Sequence, residues 1–170
     1  SQRRREGRHR QVVDALSGQA MSDSQWPVYD WEHATVGDAA PPVTVAVTQE
    51  QVERYAAAVG RPAAAAAGRA AVPLLLVRAY APLRRRELVA HMQARYPAHP
   101  TPAIKWQCQM LGNVRVGDVI DSVTRVADKY ERNGRRFLKW EVLAHRGAEL
   151  VARFTYVNLW EPGRPEDRQR

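Results

Sequence analysis

The sequence predicts an α+β domain in which two helical segments precede a meander of long antiparallel strands. Three observations carry this. Thr48 with Gln51 three residues on forms a capping box, and Val52, Tyr55, Ala56 and Val59 follow at the i, i+3, i+4, i+7 spacing of one helical stripe. Apolar and polar residues alternate strictly from Ile104 to Met110, the pattern of a half-buried strand. Asn133-Gly134 is a two-residue hairpin signal, because both turn residues need positive φ.

The remaining elements are placed around these. Residues 1–25 are polar and Arg-rich and read as a flexible arm. Val43, Val45 and Val47 alternate with Thr44 and Ala46, which suits a short strand. Gly60 can end the first helix in a left-handed conformation, and Pro62 blocks its continuation. Val72-Pro73 opens the next apolar block, with proline suited to a first helical position. Leu74 to Tyr80 is apolar nearly all round, which predicts a buried helix that Pro82 breaks. A further helix is expected between Arg84 and Arg95, with Leu88, Val89, Met92 and Tyr96 inward. Pro97, Pro100 and Pro102 form a loop. Strands are then expected at Val119 to Tyr130, Arg136 to Ala144 and Leu150 to Leu159. Both faces of these strands carry apolar side chains. One can cover a helix, and the other calls for a partner. The domain is bounded at 26–160, with a polar tail at 161–170.

Composition narrows the function. The 170 residues are 45% hydrophobic and 26% charged, ordinary for a globular chain. No apolar run reaches the roughly 18 residues that span a membrane. The single cysteine, Cys108, excludes an internal disulfide and argues against a cysteine-based metal site, so no metal or other cofactor is expected and a reducing cytoplasm fits. The net charge is +8, but five arginines against Glu6 place +4 of it in the first ten residues. The body is only mildly basic, which weighs against a nucleic-acid binder.

Four segments resemble the MaoC-like hotdog hydratases and dehydratases of acyl thioesters. Trp31 to Asp38 resembles their opening turn, and Thr48 to Gly60 their first helix. Asn113-Val114-Arg115-Val116-Gly117-Asp118-Val119-Ile120 resembles their "P-v-r-v-G-D-t-l" segment. Tyr130 to Gly134 with Leu150 to Arg153 resembles their paired strands. The resemblance implies a hotdog fold, an antiparallel sheet wrapped around a central helix. It also implies an acyl-CoA or acyl-carrier thioester as ligand and a second hotdog subunit as homo- or heterodimeric partner. The resemblance places an acyl tunnel near Tyr55, Val59, Gly60, Val72, Pro73, Leu76 and Tyr80, with core packing the alternative for both tyrosines.

Catalytic relatives carry a D-x-N-P-x-H loop after the first helix, whose Asp and His do the acid–base work of hydration. This chain has none of it: between Gly60 and Tyr80 there is no Asp, Asn or His. Pro73 also stands where relatives supply a backbone N–H to the thioester carbonyl, and proline has none. The resemblance therefore implies a non-catalytic or acyl-binding subunit. The alternative is an active hydratase, dehydratase or thioesterase with relocated groups, for which His91, His99 and Glu87 are the candidates. Arg84, Arg85 and Arg86 are candidates for the phosphates of coenzyme A. Asp128 and Glu141 are expected as exposed cross-strand charges, and Trp106 and Trp140 as core or interface.

Overall fold

The computed structural model describes residues 25–60 and 72–161. Residues 1–24 of the expected arm, the alanine-rich segment 61–71 and residues 162–170 of the expected tail lie outside the described residues. Chain order is β1 (Val43–Ala46), α1 (Gln49–Ala58), a 3-10 turn (Leu74–Leu76) leading into α2 (Val77–Tyr80), α3 (Arg85–His91), then β2 (Ala103–Met110), β3 (Val119–Arg132), β4 (Arg135–Arg146) and β5 (Glu149–Glu161). The five strands form one antiparallel sheet in the order β1-β3-β4-β5-β2. β1 and β2 are its edges.

Local chemistry sets the ends of these elements. Thr48 accepts from the Gln51 N–H while the Thr48 N–H donates to Gln51 Oε1, so two orphan donors of α1 are satisfied. Gly60 adopts φ +67° just beyond α1. Asn133 and Gly134 take φ 52° and 64°, which lets β3 turn tightly into β4. Asp118 accepts from the Arg115 N–H at 2.9 Å and so closes the turn before β3. It also meets Arg146 at 2.9 Å.

One face of the sheet holds the core. Val77, Tyr80, Ala81, Leu88 and Val89 from the helices pack with Ile120, Val126, Trp140, Val142, Ala152, Phe154 and Trp160 from the strands. Tyr29 reaches into the same cluster. It stacks edge-on to Trp160 at 6.3 Å between ring centroids, and its hydroxyl donates to Asp38 at 2.6 Å. Burial and the Asp38 carboxylate both push that hydroxyl well above the usual tyrosine range.

Three expectations need correction. Leu74 to Tyr80 is not one buried helix. It is a 3-10 turn followed by a single α turn, and Leu74 and Leu75 are 56% and 54% exposed. The segment is pinned between Pro73 and Pro82, so one side of it faces the sheet and the other faces out. Strand β2 is half-buried only in its second part: Cys108 and Met110 pack against the core, but Ile104 and Trp106 are 56% and 60% exposed. Being an edge strand, it reaches beyond the helices that cover the rest of the sheet. Glu141 is buried rather than exposed, because Arg125 lies directly opposite it on β3 and Arg153 lies diagonally across on β5. Arg125 forks onto Glu141 Oε2 at 2.8 and 2.6 Å, and Arg153 meets Oε1 at 3.2 Å.

Candidate functional site

Two cavities share a wall at the exposed end of the helical segment. The first is an apolar groove of about 420 Å³. Leu74, Leu75 and Val77 form one side of it, Trp106 and Cys108 of β2 the second, and Phe154 and Tyr156 of β5 the floor. The pairing of β2 with β5 sets Trp106 opposite Tyr156 and Cys108 opposite Phe154, so all four side chains share one face of the sheet. The second cavity is a polar basin of about 630 Å³, lined by Arg78, Arg85, Arg86, Glu87, Tyr96, His99 and Thr101 among others. Arg78, Leu83 and Arg85 belong to both linings.

Burial dominates the titration of the groove's polar atoms. It pushes the Cys108 thiol up, so the sulfur stays protonated and is a poor nucleophile. It also pushes the Tyr156 hydroxyl up, against the opposing pull of Arg78 and Arg85. Tyr80 lies behind the groove in the core, 1% exposed, with its hydroxyl pushed up to about 12 by burial and by the neighbouring Cys108.

The residues singled out in the sequence fall in several places. Tyr55 is half-buried on α1 and Val59 is exposed at its end. Gly60 closes that helix. Val72 packs on the core, and its N–H donates to the Val114 carbonyl at 3.3 Å. Pro73 caps the 3-10 turn. Leu76 and Tyr80 are buried in the core. None of these seven is among the groove lining, which comes from the intervening Leu74, Leu75 and Val77.

Of the three consecutive arginines, Arg85 and Arg86 face the basin. Arg84 does not line it: its N–H donates to Thr124 Oγ1 at 3.0 Å and its guanidinium to the Pro41 carbonyl at 3.1 Å, which ties α3 to the sheet. Glu87 lines the basin and lies 3.6 Å from Arg84. His99 lines it too, with Nε2 2.6 Å from the Trp160 carbonyl oxygen. A carbonyl only accepts, so that nitrogen carries the proton. His91 is exposed in the last turn of α3 and lines neither cavity.

Sequence reasoning missed Arg78 and Tyr96 as basin residues and the outward side of the 3-10 turn. One signal was present: Leu74 and Leu75 stand four and three residues before Arg78, the spacing that puts side chains on one helical face. The groove can hold an apolar chain, and the basin an anion beside it. Among the described residues, the groove lining contains no Asp, Glu or His. Among the described residues, no group of three His, Cys, Asp or Glu side chains is placed to hold a metal ion, and no helix is long and apolar enough to cross a membrane.

No protein-family model matches the chain, and no curated protein matches it in sequence. Solved structures do. The MaoC-like dehydratase from Rhodospirillum rubrum superposes with a TM-score of 0.54 at 20% identity, over 79% of this chain and 97% of that one. The HadBC (3R)-hydroxyacyl-ACP dehydratase complex from Mycobacterium tuberculosis gives a TM-score of 0.53 at 18% identity, over 69% and 90%. The ChsH1-ChsH2 complex from the same organism gives 0.55 at 13%, over 74% and 89%. Identities this low speak for the fold alone, and on that point they agree with the five-stranded antiparallel sheet and the helical segment packed against it: the chain has the hotdog fold.

Proposed function

We propose that this chain is an acyl-thioester-binding hotdog subunit of the MaoC-like hydratase and dehydratase type, and that a second hotdog subunit supplies the catalytic acid and base. The observation that carries the reading is the open apolar groove with no carboxylate or imidazole among its described lining residues. The sequence supports it, since residues 61–71 contain no Asp, Glu, Asn or His. The edge of β2 supports the pairing. Its free side is long, has Lys105 as its only charge, and carries the exposed Ile104 and Trp106; its one irregularity, between Ala103 and Lys105, lies at its start and leaves Lys105 to Met110 in regular register. A partner strand laid along β2 extends the sheet and closes the open side of the groove. A homodimer would leave both grooves without an acid–base pair, so the partner is a different, catalytic hotdog. HadBC and ChsH1-ChsH2, each with a chain that superposes on this one, are themselves complexes.

Acyl binding in the groove has a direct signature. Each methylene buried contributes about 0.8 kcal/mol, which is about fourfold in affinity. Acyl-pantetheine thioesters titrated calorimetrically should therefore bind about fourfold tighter per added methylene until the groove is full. Leu75→Asp should abolish that trend while leaving the fold intact, because Leu75 is exposed. An affinity independent of chain length would contradict the acyl reading.

A further inference from the structure

We infer that the groove selects acyl chains that themselves end in a carboxylate, which Arg78 and Arg85 hold at the groove's polar end. The inference rests on the reading of the groove as an acyl site and adds which acyl groups it prefers.

The groove is apolar along most of its lining but cationic at one place. Leucine, valine and aromatic side chains dominate it, yet Arg78 and Arg85 stand among them. Both arginines also line the basin, so they mark the junction of the two cavities. A guanidinium set against apolar surface is costly unless its donors are met. Those of Arg85 are not all met: one terminal nitrogen is buried without a hydrogen-bond partner. Among the described residues, no carboxylate is ion-paired with either arginine. Glu87, the one acidic residue in the described lining of either cavity, lies 3.6 Å from Arg84 instead. An anion is therefore the complement of this end of the groove.

The Tyr156 hydroxyl belongs to the same end. Arg78 and Arg85 are near enough to pull on its titration, but burial outweighs them and pushes it up, so it keeps its proton and can donate. Two guanidinium forks and a phenolic O–H are donors that a planar carboxylate accepts well. A chain that fills the groove along Leu75 and Phe154 brings its own end to these donors, so one ligand satisfies the apolar wall and the arginines together. A plain alkyl chain covers the wall and leaves the buried Arg85 nitrogen unmet.

The test is calorimetric titration of the full chain with pantetheine thioesters. These carry no phosphate, so any dependence on the arginines comes from the acyl chain. Hexanoyl- and octanoyl-pantetheine are compared with chains of the same lengths that end in a carboxylate, and with the methyl esters of those. At the length that fills the groove, the carboxylated chain is expected to bind about tenfold tighter than the plain one, as one charge-assisted hydrogen bond allows. The advantage should shrink as salt rises, and the methyl ester should not show it. Arg85→Gln and Arg78→Gln should each remove the advantage while the plain chain keeps its affinity. Arg78 is exposed, so Arg78→Gln keeps the fold. A carboxylated chain that binds no tighter than the plain chain at either length overturns the inference, and so does an advantage that survives both substitutions. If the plain chains still bind more tightly with length in that case, the acyl reading stands and only the selectivity is lost. Failure of the acyl reading looks different: plain chains bind without regard to length, and the inference falls with it.

Discussion

Trp160→Ala is expected to lower the unfolding free energy by about 3–5 kcal/mol, the usual cost of deleting a buried tryptophan. Trp160 is fully buried near the end of β5. Its ring sits 5.4 Å from Trp140 and 5.3 Å from Tyr96, and its indole N–H donates to the Tyr29 carbonyl at 3.0 Å. Its own carbonyl accepts from His99. One side chain thus joins the opening loop, the last strand and the loop that borders the basin. Trp160→Phe keeps most of the ring but leaves the Tyr29 carbonyl without its donor, so about 1–3 kcal/mol should still be lost. A domain of this kind has about 5–15 kcal/mol in all, so the alanine variant should show a large shift of its urea midpoint. A change below about 1 kcal/mol would mean that the aromatic cluster is not the keystone of the core.

The second large effect is expected at the opposite extreme of exposure. Trp106→Asp should barely alter the stability of the isolated chain, because the side chain is 60% exposed. It should weaken pairing with the catalytic subunit by about 2–4 kcal/mol, roughly 30- to 1,000-fold, as loss of a central aromatic anchor does. Gln107→Asp is the control. Gln107 neighbours Trp106 on the same strand but points to the other face, so its effect on association should be small. Sedimentation velocity of the mixed subunits reads both. Equal weakening by the two variants, or none from Trp106→Asp, would remove β2 as the pairing edge.

What could be read from the sequence follows the range of the forces involved. The capping box at Thr48 and Gln51 and the positive-φ turn at Asn133-Gly134 are decided by neighbours a few residues away, and both were legible. The three long strands were legible for a related reason: their period is written into each segment. β2 shows where this stops. Its alternation gave the strand, but whether the apolar face is covered depends on its place in the sheet, and β2 is an edge. Leu74 to Tyr80 shows the same limit, since a run that is apolar all round carries no mark of which side meets the core. Glu141 was misjudged because its burial depends on Arg125 and Arg153, 16 residues before it and 12 after, brought alongside by strand register. The basin was legible only as a run of three arginines. Arg84 turned to the sheet, while Arg78 and Tyr96 came in from other elements.

The central claim is that this chain binds the acyl group while another hotdog does the chemistry. Hydration of enoyl-CoA thioesters of several chain lengths tests it most directly, with the purified chain alone and mixed with hotdog proteins encoded by neighbouring genes. No turnover by the chain alone, and turnover in a mixture that is lost with Trp106→Asp, is the predicted result. Turnover by the chain alone that disappears on substituting His99 or Glu87 would contradict it, and would place the acid–base work in the basin.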